Sequence, residues 1–78
     1  MARKNGFVSG YTDSNITYHY VGYQIIGESP VREFHGLSWT ECYRLMNYYY
    51  WAESYQYCQD DGTCQLYVTP ITNPEDFR

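Results

Sequence analysis

Ser38-Trp39-Thr40-Glu41-Cys42-Tyr43-Arg44-Leu45-Met46-Asn47-Tyr48-Tyr49-Tyr50-Trp51-Ala52-Glu53-Ser54-Tyr55 runs for eighteen residues without Gly or Pro. It opens with Ser-x-x-Glu, a capping box in which Ser38 and Glu41 satisfy each other's free backbone N–H groups. With no breaker inside it, the run predicts one helix over residues 38–55. On a helical wheel Cys42, Leu45, Met46, Tyr49 and Ala52 fall on one face at core-facing spacing. Arg44, Tyr48, Trp51 and Tyr55 follow one another at steps of four, three and four. On a helix they would form a second, continuous ridge.

Strand-like segments flank the run. Upstream, Ile16 to Ile26 is rich in β-branched and aromatic residues. Ile16, Tyr18 and Tyr20 share one face and Val21, Tyr23 and Ile25 the other, a phase change that predicts a β-bulge near Gly22. Gly27-Glu28-Ser29-Pro30 reads as a turn and Val31 to His35 as a short strand, with Phe34 facing the core. Downstream, Asp60-Asp61-Gly62 separates two β-prone runs and predicts a hairpin. A three-residue loop would place Cys58 opposite Cys64, and a two-residue loop would offset them by one; the spacing leaves both open. Residues 1–13 read as a loose or edge-pairing arm, and Pro70 and Pro74 lead into a frayed acidic tail over 70–78. The expectation is a single α+β domain spanning 1–78, of order β-β-α-β-β, with one amphipathic helix across a face of a small antiparallel sheet.

Composition narrows the function. The chain has 78 residues, a net charge of −4, and eleven tyrosines within 21% aromatic residues. A core of this size cannot hold that many rings, so several must sit at the surface, where aromatic clusters favour contact sites. Between Arg44 and Arg78 there is no Lys or Arg, while Glu53, Asp60, Asp61, Glu75 and Asp76 lie there. Direct binding to a nucleic-acid backbone needs clustered cations and is disfavoured. Base stacking on the ridge would need the same cationic groove. An acidic surface suits a basic protein partner.

No catalytic residue is expected. His19 and His35 both lie in predicted strands, and no nucleophile elbow, phosphate loop or His-Glu-x-x-His helix is present. Cys42, Cys58, Cys64 and His35 could supply a Cys3His zinc set, but Cys58-x5-Cys64 is a poor knuckle, and no metal or cofactor is expected. Cys42 reads as a small buried hydrophobe. The N-terminus lacks the apolar run of a signal peptide and no stretch is long enough to span a membrane, so a cytoplasmic location is expected. The sequon Asn15-Ile16-Thr17 is then a coincidence.

In size, acidity, aromatic richness and lack of a catalytic motif, the chain resembles the small single-domain proteins that phages and mobile elements use against their hosts. Anti-CRISPR proteins are the best-known class of these. The resemblance is one of type and rests on no motif. It implies an inhibitor in the host-cell cytoplasm that sterically blocks a basic nucleic-acid-binding complex. Arg44, Tyr48, Trp51, Tyr55, Glu53, Asp60 and Asp61 are the candidate partner-binding residues. The alternatives are a structural or regulatory homodimer that buries the helix ridge against its own copy, and a small zinc or redox protein.

Overall fold

The computed structural model describes residues 3–25 and 27–68; the expected tail, 70–78, lies outside them. Its elements in chain order are β1 (Arg3–Asp13), β2 (Ile16–Tyr23), β3 (Arg32–Phe34), α1 (Trp39–Tyr48), β4 (Ser54–Cys58) and β5 (Thr63–Tyr67). The strands form one five-stranded sheet in the order β2-β1-β4-β5-β3, with every neighbouring pair antiparallel. The α+β class expected from the sequence holds, with the helix on one face of the sheet.

Three elements depart from expectation. The segment read as a loose arm is β1, an inner strand paired to β2 on one side and β4 on the other. Its register with β2 starts from a two-residue turn in which Ser14 and Asn15 take φ of 52° and 66°. That is the type I′ geometry that matches strand twist, and Asn is among the few residues that tolerate it. The irregularity expected near Gly22 is present, but its extra residues lie on β1, where the register shifts between Arg3 and Val8. Gly6 and Gly22 lie within it at φ of 85° and 84°.

The second departure is the helix. Its capping box forms as expected: Ser38 Oγ accepts from the Glu41 N–H and Glu41 Oε1 from the Ser38 N–H. The helix then stops at Tyr48, and Tyr49 caps it in extended geometry with its N–H still donating to the Leu45 carbonyl. Residues 54–58 are instead a strand in the middle of the sheet. Ser54, Tyr55, Gln56 and Tyr57 are all buried, so both faces of β4 are covered. Tyr55 and Tyr57 face the helix and Ser54 and Gln56 face the other way. Burying two aromatic rings and pairing both backbone edges outweighs the modest helix propensity of this aromatic-rich run.

The third departure concerns the cysteines. β4 and β5 pair with Cys58 opposite Thr63 and Tyr57 opposite Cys64, so the hairpin loop has neither expected length. Gly62 sits in it at φ of 73° and donates to the Cys58 carbonyl. Cys42, read as a lone buried hydrophobe, is disulfide-bonded to Cys64 with a Cα separation of 5.5 Å, while Cys58 keeps a free thiol. The bond clamps α1 onto β5 and takes both cysteines out of any zinc set.

The core on the helix side joins Val8, Cys42, Met46, Tyr55, Tyr57, Cys64 and Leu66, with Phe34, Leu37 and Trp39 among the half-buried residues packed on it. The opposite face is covered by the chain itself. β2 and β3 lie at opposite edges, so their connection must cross four strand spacings of about 4.8 Å, roughly 19 Å. The residues between Tyr23 and Arg32, at about 3.3 Å each, are long enough to do so. Ile25 lies on this path, buried against Tyr67, Tyr11, Tyr20 and Tyr23. Its N–H donates to Gln56 Oε1 at 2.7 Å. Gln56 Nε2 donates to Gln65 Oε1, which also accepts from the Tyr67 hydroxyl, and Gln65 Nε2 donates to Glu33. The buried Gln56 amide is thereby satisfied at both ends. Burial, with the Glu33 and Glu28 carboxylates adding to it, pushes Tyr67 up to about 12.

Two outcomes follow. Under denaturing conditions without reductant, one thiol per chain should react, and replacing Cys42 and Cys64 together by Ala should lower unfolding stability by about 3 kcal/mol, given the sequence separation of 22. At Gly10 an added Cβ would stand 2.5 Å from Tyr55 Cε1 and collide with the Tyr18 carbonyl. Gly10→Ala should therefore cost about 1–3 kcal/mol in denaturant titration.

Candidate functional site

Three side chains meet beneath the first turn of α1. The Trp39 Nε1–H donates to the Tyr55 hydroxyl oxygen at 2.8 Å, and that hydroxyl lies 2.5 Å from His19 Nδ1. The indole can only donate, and among the hydrogen bonds of this buried hydroxyl His19 Nδ1 is the acceptor, so the phenol gives its own proton to His19. His19 Nδ1 is thus an acceptor, and the ring is the neutral tautomer protonated at Nε2. The edges of Trp39 and Tyr43 pack against it with centroids 5.5 and 5.0 Å away. Burial holds the His19 pKa below its ordinary value and pushes that of Tyr55 far up. The cluster holds a histidine near a phenol, but the phenol is fully buried and cannot meet a substrate. We read it as structural.

The arrangement sets a pH dependence. The folded-state pKa of His19 is depressed, so the unfolded chain binds the proton more tightly. Stability should be fully present above the unfolded value of about 6.5 and fall as pH drops through it towards the lower folded value. His19→Gln should flatten that slope in urea titrations run between pH 7 and 5.

A different surface runs along the outer side of α1. Leu37, Glu41, Arg44, Leu45 and Tyr48 line an open groove of about 410 Å³. At one end the Leu37 N–H donates to the Gly62 carbonyl at 3.1 Å, which brings the β4–β5 loop against it. Asp60 and Asp61 are exposed on that loop. Asp61 accepts from the Thr63 hydroxyl and N–H, which hold its carboxyl below the usual range. At the other end Tyr48 is 77% and Tyr50 96% exposed. Tyr48 continues into an aromatic cluster in which Tyr49 stacks on Phe34, meets Tyr48 edge-on and lies 5.2 Å from Trp51. The Arg32 guanidinium stands 5.5 and 5.3 Å over Phe34 and Tyr49.

The seven residues singled out in the sequence divide on this surface. Arg44 and Tyr48 meet in the groove, but Asp61 lines a separate pocket with Gln24, Gln56 and Gln65 on the opposite face of the sheet, and the Asp60 carboxylate stands over Gly6 of β1. Trp51 is half-buried in the aromatic cluster. Glu53 is half-buried where its N–H donates to the Tyr67 carbonyl and its carbonyl accepts from Thr12. Tyr55 is fully buried in β4. The four-membered helical ridge therefore does not form: its spacing assumed a helix that ends before its last two members. A homodimer built on that ridge loses its geometric basis. Sequence reasoning passed over Leu37, Leu45 and Tyr50. Tyr50 could have been found only by placing the helix end correctly.

Among the described residues no group of three or more His, Cys, Asp or Glu could hold a metal ion, and no helix is long and apolar enough to cross a membrane. No protein family, curated protein or solved structure matches the chain.

Proposed function

We propose that this is a non-catalytic interaction protein that occupies a basic surface of a nucleic-acid-binding complex. In this reading it is a phage or mobile-element inhibitor of a host defence complex, anti-CRISPR-like in its mode of action. One observation carries the proposal: an open, mostly apolar groove along α1, with Glu41 and Arg44 on its walls, runs to the highly exposed Tyr48. Tyrosine gives large contact area with few rotors to freeze, and a partner's apolar side chain would lie in the groove beside Tyr48. The net charge of −4 favours encounter with a cationic partner. Action in the host-cell cytoplasm belongs to the proposal. A reducing compartment would hold Cys42 and Cys64 as thiols, so the redox state of the pair in protein taken from the host bears directly on location.

The test is affinity capture from host lysate with the wild type and with Leu45→Ala/Tyr48→Ala, followed by a nucleic-acid binding assay on the captured complex. The wild type should capture a basic nucleic-acid-binding complex and abolish its binding to nucleic acid. The double variant, folded by circular dichroism, should weaken capture by at least about tenfold. Equal capture by both proteins, or a captured complex that still binds its nucleic acid, would overturn the reading.

A further inference from the structure

The two edges of the sheet are built differently. β3 is three residues long and carries Arg32 and Glu33, a short charged edge of the kind that resists pairing. β2 is eight residues long, Ile-Thr-Tyr-His-Tyr-Val-Gly-Tyr, with no acid, Lys, Arg or Pro. Among the described strands it has a neighbour on one side alone.

The backbone groups it turns away from β1 can be identified. After a two-residue hairpin loop the first facing residues, here Asp13 and Ile16, exchange hydrogen bonds, and such pairs alternate along the ladder. The Thr12 N–H agrees, since it turns away from β2 to the Glu53 carbonyl on the far side of β1. Ile16, Tyr18 and Tyr20 therefore point their amides at β1. Thr17, His19 and Val21 point theirs outward, along the open edge.

We propose that this edge pairs antiparallel with β2 of a second copy of the chain, centred on His19, to give a continuous ten-stranded sheet. A two-fold axis normal to the sheet keeps each residue on its own face, so only registers that pair like-facing residues are allowed. Centred on His19, Thr17 faces Val21 of the other copy, β-branched against β-branched, and Tyr18 faces Tyr20. The Tyr11 ring already stacks on Tyr18 and Tyr20 at 5.2 and 6.2 Å, so the pairing extends a tyrosine ladder across the axis. Three outward residues on each copy supply about six main-chain hydrogen bonds. Ile16, Tyr18 and Val21, at 55%, 41% and 60% exposure, supply apolar surface. The strand is uncharged in an acidic chain, so self-pairing sets no like charges opposite each other. The blunt β3 edge stops growth at two copies. This surface is separate from the groove on α1, and its test does not depend on that one.

Hydrogen–deuterium exchange on the full chain, resolved by residue, tests it. Between about 10 μM and about 1 mM protein, the Thr17, His19 and Val21 amides should slow by roughly tenfold or more, while Tyr18 and Tyr20 stay protected throughout. Sedimentation should show a dimer over the same range. Val21→Lys should abolish the concentration dependence and leave Tyr18 and Tyr20 protected, which reports that the fold survives. Three results would overturn the proposal. Fast exchange of the outward amides at every concentration means the edge is open. Protection independent of concentration means a segment of the same chain covers it. A dimer that leaves these amides fast means association through another face.

Discussion

The fold turns on the contact between Tyr55 and Gly10. Tyr55 faces Gly10 across the β1–β4 pair, and its ring occupies the space a side chain at residue 10 would need. That close approach carries the phenol towards β2, where its hydroxyl sits between Trp39 of the helix and His19 of the edge strand. One side chain thereby ties β4 to β1, β2 and α1. A polar tip buried this deeply is tolerated only because it both accepts and donates a hydrogen bond. Helix position, strand register and the tautomer of His19 are all conditions of that satisfaction.

The two faces of the sheet are closed by different means. On the helix face, apolar packing is reinforced by the Cys42–Cys64 bond, which ties α1 to the sheet at the middle of its contact. On the other face no second helix exists among the described residues. The sheet is covered by a connection whose backbone is held by side-chain amides. Gln56 and Gln65 do there what a core of leucines would do elsewhere, because an irregular segment crossing a sheet brings backbone N–H groups that must be paired. Covering both faces leaves the tyrosine surplus in two places: along the β1–β2 ribbon and at the end of α1. The functional readings concern those two regions.

Much of the helix and turn grammar was legible. The Ser38–Glu41 capping box, the inward positions of Cys42 and Met46, the turn at Gly62 and the irregularity near Gly22 all rest on local rules that survive in the tertiary structure, whereas the turn read at Gly27–Pro30 is instead part of the connection that crosses the sheet. The candidate site was legible in part. Arg44 and Tyr48 share a helix, so their neighbourhood follows from spacing. Trp51 and Tyr55 do not, because Tyr-Tyr-Trp-Ala-Glu-Ser contains no breaker to mark the end of the helix. The strand alternation of Ser54 to Cys58 coincides over a few residues with a helical period. The Asp13-Ser14-Asn15 turn was a sequence signal that could have made β1 an inner strand.

What the sequence determined by itself is what local chemistry can decide: one capped helix, β-rich segments around it, an acidic chain with more rings than its core can hold. The tertiary structure alone decided where the helix stops, which strands neighbour which, and which cysteines meet. Each of these depends on contacts between residues far apart in the chain, Tyr55 with Gly10, Cys42 with Cys64, Ile25 with Gln56. The stabilisation from such contacts exceeds the small differences in local propensity that a reading of neighbouring residues can weigh.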